Sequence, residues 1–236
     1  MTWLRRARPH LGTLVEVGAP AGCEGAIEAA FQAVAQIERL MSKHLAASDV
    51  GRFNAARAGS HLRIHPWTFR VLALARDLAA ASEGRFDITQ GTGRWSLVED
   101  GLLKMDAGAQ IDLGGIAKGE AVDRGLEALL EAGASAGWVN AGGDLRVQGL
   151  ELPVGLRDER EGGLRPWALI SEGALATSRF PVDDPGRLCG QPAARHVTVA
   201  APRCAPADAL TKVIALTGMT AGTLLDQYEA QAWIHE

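Results

Sequence analysis

Apolar and polar residues alternate over residues 13–17, which predicts a strand. Residues 24–42 instead carry Ile27, Phe31, Val34, Ile37 and Met41 at helical spacing. The stretch 42–54 reads as loop, and 62–64 as a short strand. Pro66 is placed like the first residue of a helix, with Phe69, Leu72 and Leu78 on its buried side and Gly84 after its end. A second strong helix starts in the glycine-rich stretch 114–119, runs to Leu130 and closes at Gly133. Strands are predicted at 138–139, 145–149, 154–156, 167–171, 196–200 and 230–234. Residues 140–144 and 176–178 read as turns, and 179–195 as a loop rich in Pro, Gly and Arg. Pro206 opens a helix through Leu210, Val213, Ile214 and Leu216, closed by Gly218, and a short helix is expected over 220–228. Strands and helices mix without a steady βαβ rhythm, so the expected class is α+β, mixed sheets with packed helices, in one domain over 1–236.

Composition narrows the function. The chain is 236 residues long and 47% hydrophobic, enough for a substantial core. A net charge of −4 gives no electrostatic footprint for nucleic acid. No apolar run is long enough for a membrane span. The basic start, with Arg5, Arg6 and Arg8, lacks the apolar segment of a signal peptide and reads as a solvated arm before the first strand. Cys23, Cys189 and Cys204 are scattered, odd in number and without a Cys-x-x-Cys pair. They fit reduced thiols, so a cytoplasmic location is expected.

The most informative stretch is Ile111-Asp112-Leu113-Gly114-Gly115-Ile116-Ala117-Lys118-Gly119. It reads as an aspartate at a strand end, a glycine turn, and the first turn of a helix. Glycines allow close approach to the backbone, and a helix start offers N–H groups and a positive dipole end to a diphosphate. It is neither a Walker A loop nor the dinucleotide fingerprint, because the glycine spacing differs. Asp112 as a helix cap, Asp87 as a turn aspartate and Lys118 as a solvated first-turn lysine are the plainer alternatives.

Taken together, several short motifs resemble the FAD:protein FMN transferases, the ApbE-like flavin transferases. Leu11-Gly12-Thr13 is similar to that family's Met-Gly-Thr. Residues 48–54 are similar to its Ser-Glu-Ile-x-x-Phe-Asn, and 84–91 to its Gly-x-Phe-Asp-x-Thr-x-Gly. Residues 111–123 follow its Asp-Leu-Gly-Gly-Ile-Ala-Lys-Gly-Tyr-Ala-Val-Asp, with Glu120 in place of the tyrosine. Val139 to Asp144, Ala176-Thr177-Ser178 and Ala207-Asp208-Ala209-Leu210 match three more. The resemblance implies a T-fold-related architecture and a reaction in which a threonine hydroxyl of a target protein attacks the FMN phosphorus of FAD and AMP leaves. It implies that Leu11, Phe86, Asp87, Asp112 and Lys118 bind FAD, and that magnesium is held by the Gly115 carbonyl, Asp208 and a nearby threonine. No acceptor motif of the family's targets occurs in this chain, so a separate flavin-accepting protein is expected.

Two departures fall at the expected reactive centre. The family's threonine ligand lies four residues after the aspartate, where this chain has Lys212; its threonine is Thr211, one residue early and ~100° away around a helix. Asp208 and Lys212 are therefore an i, i+4 pair. Either they form a surface ion pair worth about 0.3–0.5 kcal/mol, or the Lys212 ammonium occupies the magnesium position beside Asp208 and still reaches a phosphate. On that second reading Lys212 and Asp208 are the catalytic pair. Anchored on Asp184-Pro185, the family's histidine position is Pro181, and His196 lies on the next strand. A transferase, a binding homologue without transfer activity and an FAD diphosphatase all remain open. Trp95 reads as a stacking partner for a ring or as core packing.

Overall fold

The computed structural model describes residues 2–99, 101–157, 162–181, 188 and 190–235. Cys189 and the Asp184-Pro185 anchor lie outside the described residues. Twelve strands and six helices are described, in the order β1 (Trp3–His10), β2 (Thr13–Pro20), α1 (Glu24–Met41), α2 (Asp49–Ala55), β3 (His61–Arg63), α3 (Pro66–Ala81), β4 (Trp95–Val98), β5 (Gly101–Lys104), α4 (Ala117–Glu131), β6 (Gly137–Ala141), β7 (Asp144–Gln148), β8 (Leu152–Arg157), β9 (Leu164–Ile170), β10 (Gly173–Arg179), β11 (His196–Ala201), α5 (Cys204–Thr217), α6 (Thr223–Gln227) and β12 (Gln231–Ile234). The class is α+β.

A seven-stranded antiparallel sheet runs β1-β2-β6-β7-β10-β11-β12, and smaller sheets are formed by β3-β5-β4 and β8-β9. α4 packs on β6 and β7, α5 packs on β10 and β11, and α1 lies against α4. The core is sealed between these helices and one sheet face by residues such as Val15, Val17, Val34, Ile37, Val139, Leu126, Val197 and Val199. Alternation in β2 and β11 is what turns those valines to the helices.

Several expectations are corrected. The arm expected before residue 13 is strand β1, registered on β2 from Trp3↔Pro20 to His10↔Thr13. Its run of arginines hides the apolar signal, but Arg5 pairs with Glu16, and Arg8 pairs with Glu28 while its guanidinium lies 4.5 Å from the Phe31 ring centroid. Residues 49–55 form α2 rather than loop; Ser48 caps it by accepting from the Gly51 N–H at 2.8 Å. The β4–β5 hairpin was hidden because each strand is only four residues long. Trp95 lies on β4, partly buried against the core. Ala176-Thr177-Ser178 is strand β10, not a turn. Its small side chains let α5 close on it: Ala176 is fully buried and Ser178 Oγ lies 2.8 Å from Thr211 Oγ1.

The turn between β6 and β7 is only Gly142-Gly143, both at positive φ (62° and 103°). Such a two-residue hairpin requires left-handed backbone at both positions, which glycine supplies. It aims Asp144, the first residue of β7, at α4.

The N-terminus of α5 is held by Asp123, which is fully buried on α4. Its carboxylate accepts from the N–H groups of Cys204 (2.9 Å) and Ala205 (3.0 Å) and from Arg146 (3.0 Å). Replacing Asp123 with alanine strands the two amides and leaves Arg146 with Glu127 at 3.5 Å. We expect Asp123→Ala to lower unfolding free energy by about 3–5 kcal/mol, read from the urea midpoint, with Asp123→Asn losing less.

Candidate active site

The turn between β1 and β2 is Leu11-Gly12, and Leu11 takes a left-handed φ of 56°. That conformation is uncommon for a branched residue. It is held by Glu38 on α1, whose carboxylate accepts from the Leu11 N–H at 3.0 Å. This turn forms one wall of a cleft of about 400 Å³ that is also lined by Lys43, Asp112, Gly114, Lys118 and Gly142. Three of the residues read from the sequence as FAD contacts, Leu11, Asp112 and Lys118, thus converge from segments about a hundred residues apart.

Asp112 is not at a strand end. Residues 111–113 have no regular structure. The side chain of Asn54 holds the Ile111 backbone like a rung of sheet, donating to its carbonyl (3.0 Å) and accepting from its N–H (2.8 Å). The Asp112 carboxylate accepts from Gly114 N–H at 2.8 Å and pairs with Lys43 at 2.8 Å. It is a turn carboxylate with a cation on the cleft side, not the cap of α4. Lys43 carried no signal in the sequence, because it lies in a segment with no periodicity.

The start of α4 also departs from expectation. Ala117 N–H donates to Leu113 carbonyl at 2.8 Å, and Gly119 N–H donates to Asp208 at 3.2 Å. Those two amides are satisfied within the protein, and the Lys118 side chain on the same turn lines the cleft. Gly119 is needed for close approach instead: a Cβ there would lie 2.4 Å from the Cys204 carbonyl oxygen. The missing side chain lets α5 reach α4 and puts Asp208 against it.

Behind the cleft lie two ammonium groups and two carboxylates. Lys118 pairs with Asp144, and Lys212 pairs with Asp208. Both aspartates are fully buried, Lys118 is 26% exposed and Lys212 9%. Lys118 alone of the four lines the cleft. Burial works against its charge, but Asp208 and Asp144 outweigh that and raise its pKa. Burial likewise pushes Asp208 up, yet Lys118 and Lys212 hold it below the ordinary carboxylate range. Asp144 is driven the other way: burial and the Asp208 charge raise it to about 7 against the pull of Lys118. One of its oxygens, Oδ1, has no hydrogen-bond partner among the described residues. The motif residues 140–144 announced Asp144, but nothing in them indicated that it would meet Lys118.

Lys212 is not on the surface. Its ammonium bonds Asp208 Oδ1 and lies 2.9 Å from the Asp208 carbonyl and 3.3 Å from Ser178 Oγ. Its stem passes Gly115: a Cβ on that glycine would sit 3.5 Å from Lys212 Cε and 3.6 Å from the Phe86 ring. Of the two readings of the Asp208–Lys212 pair, the surface one does not hold, because the pair is buried. Thr211 Oγ1 lies 2.7 Å from the Asp208 carbonyl and 2.8 Å from Ser178 Oγ. The structure thus brings Gly115, Phe86, Asp208, Thr211 and Lys212 together. These residues do not fit a magnesium ion, because the Lys212 ammonium already neutralises the Asp208 carboxylate and a second ammonium, Lys118, stands close by. Among the described residues no three His, Cys, Asp or Glu side chains gather for a metal.

Asp87 stays outside this group. Its carboxylate accepts from the N–H groups of Thr89 (2.8 Å) and Gly91 (2.9 Å) and shapes the 87–91 turn. Pro181 is exposed. Because Ser178 pairs with Val197 and faces α5, the neighbouring pair Arg179↔His196 faces the other side of the sheet. There His196 packs 4.8 Å from His235.

The sequence matches the ApbE family over residues 11–97 and 90–179, and the chain belongs to that family. No curated protein matches it. Among the solved structures that share the fold are three ApbE proteins. A variant of the flavin transferase ApbE from Vibrio cholerae is 20% identical, with a TM-score of 0.84, covering 99% of this chain and 93% of that one. The ApbE protein of Thermotoga maritima is 22% identical at a TM-score of 0.83, with 99% and 94% covered. The apo flavinyl transferase ApbE of Pseudomonas stutzeri is 22% identical at 0.77, with 100% and 92% covered.

The Asp144 shift has a pH consequence. Between its ordinary value of 3.8 and about 7 the folded protein keeps a proton that the unfolded chain has released. Stability from this group is full below that window and is lost as pH rises through it. We expect unfolding free energy to fall between pH 4 and pH 7 in the wild type, and Asp144→Asn to abolish that slope in urea titrations at stepped pH.

Proposed function

We propose that this protein is a flavin transferase of one domain, which binds FAD and moves FMN to a threonine hydroxyl of a separate target protein. The observation that carries the reading is the convergence of Leu11, Asp112 and Lys118 on one cleft, in a chain of the ApbE family. The cleft has the size of a small-ligand site. Lys118 presents a fixed positive charge to it from the first turn of α4, which suits a diphosphate. Phe86 and Gly115 lie beside the Lys212 stem, Gly115 next in the chain to the cleft-lining Gly114.

In the proposed reaction the threonine oxygen forms a bond to the FMN phosphorus as the bond from that phosphorus to the AMP phosphate oxygen breaks. The hydroxyl proton passes to solvent water, and AMP leaves with the negative charge on its phosphate. This chain's part is to fix the two phosphates and neutralise them, since such transfers depend on positioning and charge more than on covalent help. Lys118 is charged throughout the neutral range, so it neither gives nor takes the proton. Its rigidity comes from Asp144, which anchors the ammonium from below.

The experiment is to mix the protein with FAD and a candidate acceptor carrying the Asp-x-x-Ser/Thr-Gly-Ala-Thr type of motif, following acceptor mass and AMP together. Equal amounts of FMN gained and AMP released are expected. AMP without acceptor modification would mean hydrolysis, and bound FAD with no AMP would mean a binding module. A charge-assisted hydrogen bond is worth about 1.5–3 kcal/mol, so Lys118→Met should lower kcat/KM for FAD by about 10- to 100-fold.

A further inference from the structure

The Lys212 ammonium sits in an oxygen cage made by the Asp208 carboxylate, the Asp208 carbonyl at 2.9 Å and Ser178 Oγ at 3.3 Å. Carboxylate, carbonyl and hydroxyl oxygens are the donors that a hard cation takes. Here a side chain of the protein fills the place. Its stem is threaded past Gly115, where the absence of a Cβ leaves 3.5 Å to Lys212 Cε. It is joined to Asp208 on the same helical face, one turn earlier.

Charge balance points the same way. Lys118 and Lys212 answer Asp144 and Asp208, so the buried group is neutral once Asp144 has ionised and carries an excess positive charge while Asp144 keeps its proton. A divalent ion beside Asp208 would face two ammonium groups in a region shielded from water, where like charges repel strongly. Both Asp208 oxygens are already engaged, Oδ1 by the Lys212 ammonium and Oδ2 by the Gly119 N–H.

Resting on the flavin transferase reading, we propose that the Lys212 ammonium takes the place of a divalent cation in this protein, so that FAD binds without magnesium. The ammonium has three protons and three acceptors. The Ser178 contact is the longest of them, and it is the one a phosphate oxygen would replace. Lys118 meets the diphosphate from the cleft, and Lys212 meets it from the α5 side. The site then supplies two single positive charges held by side chains, and it does not depend on the metal content of its surroundings.

The test is calorimetric titration of FAD into the intact protein, once in EDTA and once in excess magnesium. The expected result is the same Kd within about twofold. Binding that magnesium tightens by about tenfold or more would overturn the proposal and leave the flavin reading intact. No binding in either buffer would overturn the flavin reading and the proposal with it. A readout independent of flavin is the electron paramagnetic resonance of Mn²⁺ added to the protein. Wild type should leave the ion free, and Lys212→Thr should bind one equivalent. Stoichiometric Mn²⁺ on the wild type, or none on a folded Lys212→Thr, would also overturn it. Should that variant fail to fold, the wild-type titrations decide alone.

Discussion

The pairing of Lys118 with Asp144 and of Lys212 with Asp208 is the constraint on which the rest of the structure depends. Taking a carboxylate out of water costs several kcal/mol unless a cation and further donors replace the solvent. Asp144 and Asp208 are both fully buried. Each therefore dictates where a lysine must lie, and through it where a helix must lie. Lys118 ties the first turn of α4 to β7, and the Gly119 N–H ties the same turn to Asp208 on α5. The helices and the sheet are thus brought to register at one point, directly behind the cleft.

That point exists because the surrounding residues are small. Gly119 allows the backbone of α5 to come within contact of α4, and Gly142-Gly143 turns β6 into β7 in two residues, so that Asp144 starts its strand facing Lys118. Ala176 and Ser178 on β10 leave room for α5 to lie flat on the sheet. A larger residue at any of these places would separate the charges and leave them buried alone. Asp123 adds a second tie between α4 and α5, through the Cys204 and Ala205 amides.

Under the proposed function, the same group explains how a chain with a lysine four residues after Asp208 remains suited to phosphate. The positive charge that faces the cleft comes from side chains whose positions are fixed by buried aspartates. Asp112, the most conspicuous acid in the sequence, is itself neutralised by Lys43. The cleft wall opposite is the Leu11 turn, strained into a left-handed conformation and held by Glu38. A site assembled in this way is rigid before any ligand arrives, which lowers the cost of binding.

The local pattern alone determined much of this. Helical spacing located α1, α3, α4 and α5, because each buries one stripe of its surface. Alternation located β2 and β11, and the motif residues marked out Leu11, Phe86, Asp112, Gly115, Lys118 and Asp208 as candidates. What it could not supply were elements whose stability comes from neighbours. β1 is an arginine-rich edge strand held by β2, β4 and β5 are four-residue strands held by each other, and the small residues of β10 form a strand through their pairing with β7 and β11, with α5 packed over them. The electrostatics were decided by tertiary structure as well. A lysine and an aspartate four apart on a helix look the same in sequence whether they are solvated or buried. Only the packing of α5 between α4 and β10 removed the water from Asp208 and Lys212, and with it made their pairing obligatory.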